Sequence, residues 1–130
     1  METWNPAARA KEIAEEMQTI ASGRGFRAPQ IIAVTKTVEP QRIRMLENSG
    51  ITRLGENRVQ EMLKKMPEVP SEFRFEMIGR LQINKVKSII DKVYQIESLD
   101  REDLAQEIDR RAGMAGRRVP VLIQDRKSVV

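Results

Sequence analysis

The chain has 130 residues, 40% of them hydrophobic and 32% charged, with a formal net charge of +4. That length holds one domain with a real core but not a complete eight-stranded α/β barrel, and the composition is neither that of a disordered chain nor that of a membrane-spanning one. Histidine and cysteine are both absent, which removes imidazole bases, Ser-His and Cys-His nucleophiles, disulfides and the usual zinc ligands.

The start, Met1-Glu2-Thr3-Trp4, lacks the basic and then apolar pattern of a signal peptide, and no apolar run reaches bilayer length. The expectation is a cytoplasmic chain with no membrane contact. The positive excess falls mainly in residues 30 to 66, with seven basic and four acidic groups. Acids are interspersed throughout, and one Trp, one Tyr and three Phe offer little stacking surface, so no nucleic-acid partner is expected.

Asn5-Pro6 reads as a helix start, an N-cap side chain followed by a proline whose missing N–H is not needed in the first turn. Ile13, Met17 and Ile20 follow at helical spacing, and Gly23 and Gly25 close the segment. Ile31 to Lys36 is a short, β-prone apolar run that ends in a lysine, which predicts a buried central strand of a parallel sheet. Pro40 opens a second helix with Ile43 and Leu46 inward, closed by Asn48-Ser49-Gly50, and a second strand covers Ile51 to Leu54. After Gly55-Glu56-Asn57, with Asn57 placed as N-cap, comes a helix carrying Val59, Met62, Leu63 and Met66 and ended by Pro67 and Pro70.

Phe73 to Ile78 is the third strand, leading into Gly79-Arg80-Leu81-Gln82 and a helix that buries Val86, Ile89 and Ile90. Val93 to Glu97 is the fourth strand, ending at Ser98 and followed by a helix capped by Asp100, with Leu104, Ala105, Ile108 and Ala112 as its stripe. Val119 to Ile123 is the fifth strand, arriving at Gln124. Strands alternating with helices across short loops imply βαβ units and a parallel sheet. The residues that follow each strand, Lys36, Asn57, Arg80, Ser98 and Gln124, then converge on the carboxyl edge, where α/β folds carry their chemistry.

For an isolated strand-end lysine the default is a solvated ammonium. The sharper reading makes Lys36 a Schiff-base lysine, its stem packed against apolar walls so that more free amine meets an aldehyde. Asn57 is by default a helix cap, and its amide could also hydrogen-bond a cofactor ring. Glu56 and Arg80 are read evenly as surface charges or site groups, Gly55 and Gly79 as turn residues, and the methionines at 62 and 66 as core.

The segments AVTKT, GENRVQEML and IGRLQINKVK, in this order and followed by EIDRRA and VPVLIQ, resemble the pyridoxal 5′-phosphate homeostasis proteins of the YggS/PROSC type. The resemblance runs from about residue 3 to Gln124. It implies a parallel (β/α) barrel like the amino-terminal domain of alanine racemase, truncated after about five strands to an open part-barrel. It also implies a carrier that binds pyridoxal 5′-phosphate (PLP), keeps vitamin B6 in balance and has no established catalytic turnover. The family's cofactor lysine falls on Lys36, and the asparagine of its Gly-Glu-Asn motif falls on Asn57. Where the family often has two histidines, this chain has Glu76 and Glu97.

Family members continue past the fifth strand into the segment that holds the cofactor phosphate. Residues 1–124 therefore read as the amino-terminal part of one PLP-binding domain, with cofactor retention impaired by truncation. Residues 125–130, DRKSVV, match a reading frame of a sequencing-library adapter and read as a non-native tail. Two alternatives stand beside the carrier. A PLP-dependent racemase or lyase needs a second acid/base group across the cofactor ring, and a non-catalytic α/β regulatory domain lacks any glycine-rich nucleotide motif here. Oligomeric state is not legible in the sequence.

Overall fold

The computed structural model describes residues 5–125. The proposed tail therefore lies, except for Asp125, outside the described residues. Five strands form one sheet in the order β1-β2-β3-β4-β5, each parallel to the next. They are β1 (Ile32–Val34), β2 (Arg53–Glu56), β3 (Arg74–Met77), β4 (Gln95–Leu99) and β5 (Val121–Ile123). Helices α1 (Pro6–Gly23), α2 (Pro40–Ile43), α3 (Val59–Lys65), α4 (Val86–Ile89) and α5 (Glu102–Met114) connect them. The result is the open part-barrel expected from the sequence, with the sheet unclosed.

Register decides which residues share a face. Leu54 pairs with Phe75 and Met77 with Ile96, and paired residues of parallel strands point to the same side. These four are buried in one core with Val59 and Met62 of α3, Val86 and Ile89 of α4, and Leu104 and Ile108 of α5. Removing each such side chain from water contributes about 1.5–3 kcal/mol, so the helix-facing side holds the fold together. The opposite, inner face carries Arg53, Gly55, Glu76 and Gln95 in register.

Three local expectations change. The second and fourth strands lie two residues later than predicted, because Gly55-Glu56 and Ser98-Leu99 continue the ladder instead of ending it. The central position foreseen for the first strand is not observed: among the described residues β1 pairs only with β2, and Val34 is 54% exposed. A short apolar run reports a preference for burial, not the number of neighbours a strand will have. In α1 the Asn5 cap is as expected, its side chain accepting from the Ala8 N–H at 3.1 Å. Its buried residues, however, are Ala10 and Ala21, while Ile20 lies in solvent.

Caps also differ. Arg58, not Asn57, is the N-cap of α3, and Arg101, not Asp100, that of α5; neither makes a side-chain capping bond. Asp100 instead pairs with Arg101 at 2.7 Å. No helix among the described residues is long and apolar enough to cross a membrane.

Candidate functional site

Lys36 leaves β1 into a tight turn closed by the Val38 N–H donating to the Thr35 carbonyl at 3.0 Å. The β1–β2 ladder runs to this point, with Val34 opposite Gly55 and the Thr35 N–H donating to the Gly55 carbonyl at 3.0 Å. Lys36 and Asn57 each stand two residues beyond that last pair, on adjacent strand ends of the carboxyl edge. Lys36 is exposed rather than walled by apolar residues, which corrects the expected burial of its stem. Neither its amine nor the half-buried Asn57 carboxamide bonds another described residue.

Gly79 explains how the third strand end joins them. A Cβ there would lie 2.5 Å from the Asn57 carbonyl oxygen and 2.7 Å from its Cα, so only glycine lets these two backbones touch. Beside them is a cleft of about 290 Å³ whose lining includes Asn57, Arg58, Arg80 and Lys85 and no carboxylate. Ser98 does not reach the edge. It is fully buried within β4, its hydroxyl without a partner among the described residues. Gln124 follows β5 and donates its N–H to the Leu99 carbonyl at 2.8 Å.

Beneath the Lys36 turn lies a polar cluster that the sequence reading missed. Glu56 is fully buried and Lys65 nearly so. The Lys65 ammonium donates to the Thr35 carbonyl at 2.6 Å, to Glu56 Oε2 at 2.9 Å and to Glu61 Oε2 at 2.6 Å. The Thr35 hydroxyl donates to Glu56 Oε2, and the Thr37 N–H to Glu61 Oε2 at 2.6 Å. The hydrogen bond from Lys65 leads the effects holding the Glu61 carboxyl below its ordinary range. Period-3.6 reasoning could have placed Glu61 and Lys65 on one face of α3, but nothing local signals that this face is turned inward.

On the inner face, Arg53 reaches Glu76 with two nitrogens, Nη2 at 2.8 Å from Oε1, and lies 4.0 Å from Glu97. Burial alone would raise the Glu76 carboxyl, but hydrogen bonds from Arg53 and Glu97 hold it below the usual value. Glu97 is pushed up to about 7, by burial first and then by its hydrogen bond and charge repulsion with Glu76. The two carboxyls thus face one guanidinium. Arg53 and Arg74 both stack on Tyr94, 5.3 and 4.9 Å from its ring centroid. The positions where the resembled family often has histidines thus form a balanced ionic cluster.

No family model matches the chain. It is 42% identical over 111 residues to the pyridoxal phosphate homeostasis protein of Aquifex aeolicus, covering 83% of this chain and 49% of that one. PipY of Synechococcus elongatus, solved without PLP, superposes with a TM-score of 0.68 at 34% identity, covering 81% of this chain and 51% of PipY. The same protein with PLP bound gives 0.67 at 33% identity, with the same coverage. The chain spans about half the length of the curated relatives it matches, or less. Over the part of their length that it spans, the chain belongs to the family of pyridoxal phosphate homeostasis proteins.

Proposed function

We propose that this chain binds pyridoxal 5′-phosphate and serves vitamin B6 homeostasis as a carrier, with Lys36 as the anchoring amine and Asn57 beside the cofactor ring. The observation that carries this reading is the register equivalence of Lys36 and Asn57, an unbonded amine and an unbonded carboxamide on adjacent strand ends. The cofactor supplies an aldehyde that condenses with a primary amine, releasing water. The donor set fits that aldehyde: the Lys36 side chain is open to solvent, and the nearby cleft lined by Arg58, Arg80 and Lys85 attracts an anion. The relatives are named as homeostasis proteins rather than enzymes, which supports a carrier without turnover. In the resembled family the phosphate is held by a segment beyond the portion matched here. Titration with PLP, followed by borohydride reduction and peptide mapping, tests the reading. A reduced adduct on Lys36, lost in Lys36→Ala with no adduct elsewhere of equal yield, is expected; equal labelling of both proteins refutes it.

A further inference from the structure

The turn that carries Lys36 is built in an unfavourable conformation. Thr37, the residue after Lys36, has φ +62°, a left-handed backbone that a β-branched residue adopts only under strain. Such a conformation persists only where its surroundings enforce it. Both ends of this turn are gripped by one helix. Glu61 of α3 accepts the Thr37 N–H at 2.6 Å, and Lys65, one helical turn later, donates to the Thr35 carbonyl at 2.6 Å. Glu56, at the end of β2, ties the same ammonium and the Thr35 hydroxyl to the sheet.

We infer that Glu61 and Lys65 are positioning residues that hold the Lys36 turn open for aldehyde capture and reserve Lys36 as the reacting amine. This deepens the carrier reading and rests on it. An ammonium has three hydrogens, and Lys65 directs all three to Thr35, Glu56 and Glu61. It has no hydrogen left for a ligand, while the amine of Lys36, one residue from the gripped carbonyl, has no hydrogen-bond partner among the described residues. Two primary amines thus flank one turn, and the hydrogen-bond inventory selects between them. In the capture step the Lys36 nitrogen attacks the aldehyde carbon, the two amine hydrogens leave with the carbonyl oxygen as water, and a C=N bond remains. The cluster takes no proton in that step; it fixes where the nitrogen stands.

Glu61→Ala is the discriminating variant, because the Glu61 side chain is partly exposed at the protein surface and the Lys65 ammonium keeps its pairing with Glu56 when this acceptor is lost. Amide hydrogen exchange without cofactor is expected to speed up about tenfold at Thr37, and adduct formation with added PLP to slow about tenfold. Glu61→Gln keeps an acceptor for Thr37 and should return both readouts to near wild type. Lys65→Met combined with Glu56→Gln, which leaves no unpaired buried carboxylate, should give the same slow capture as Glu61→Ala. Thr37 exchange that is unchanged in Glu61→Ala, or capture as fast as wild type in both variants, overturns the positioning role. A wild-type chain unlabelled at Lys36 overturns the carrier reading instead, and the exchange measurement still decides whether the clamp exists.

Discussion

Replacing Gly79 by alanine tests the contact that joins the second and third strand ends. The added Cβ would sit 2.5 Å from the Asn57 carbonyl oxygen, and ordinary contact begins at 3.4 Å, so the two backbones must separate by about 0.9 Å. Neither can rotate away, since Ile78 beside Gly79 donates its N–H to the Glu56 carbonyl at 2.9 Å and locks the β2–β3 ladder at this point. Overpacking of this kind costs about 1–3 kcal/mol. With a urea slope of about 1–3 kcal/mol per molar, the unfolding midpoint should fall by roughly 1 M. Gly113 in α5 is the control. A Cβ there meets nothing within 4 Å, and Gly113→Ala in a helix should stabilise by about 0.5–1 kcal/mol. Urea denaturation of both variants, with the Asn57 side-chain amide followed by NMR, reads the two effects. A Gly79→Ala protein as stable as wild type, with an unmoved Asn57 signal, would refute the argument.

Two further outcomes follow from the inner face and the sheet edge. The Glu97 carboxyl, raised to about 7 from 4.5, contributes stability that is present below pH 4.5 and lost as pH rises through 7. The rise corresponds to at most about 3 kcal/mol, reduced to about 1 kcal/mol by solvent screening at a partly open face. Thermal melts of Glu97→Gln and wild type should therefore differ little at pH 5 and favour the variant at pH 8; an advantage that is the same at both would contradict the raised Glu97 carboxyl. On β5, Ile123 is 81% exposed along an edge unpaired among the described residues, a surface prone to self-association. Light scattering of Ile123→Lys should show less association at an unchanged melting temperature.

Strand-helix alternation and parallel order were legible because each element carries its own period and its own punctuation. Pro6, Pro40 and Pro67 all sit at helix boundaries, and Phe73 to Ile78 contains β3 whole. Lys36 and Asn57 are proposed as site residues from motifs and from their place after strands. What escaped was long-range. Glu56 reads evenly as a surface charge or a site group, and its burial is decided by Lys65, nine residues on, and by Thr35, twenty-one residues back. The two-residue shift of β2 likewise comes from pairing: Gly55 looks like a turn, but Val34 and Glu76 on either side hold it in the ladder.

Because each strand's neighbour in the sheet is also its neighbour in the chain, the sheet can grow in the direction of synthesis, one βα unit at a time, without waiting for distant segments. The clamp around Thr35 and Thr37 draws on α3, in the second such unit. Lys36 is thus translated early, but the turn that carries it is set only when α3 docks, so the geometry of this strand end is a product of folding of the second unit and not of the first.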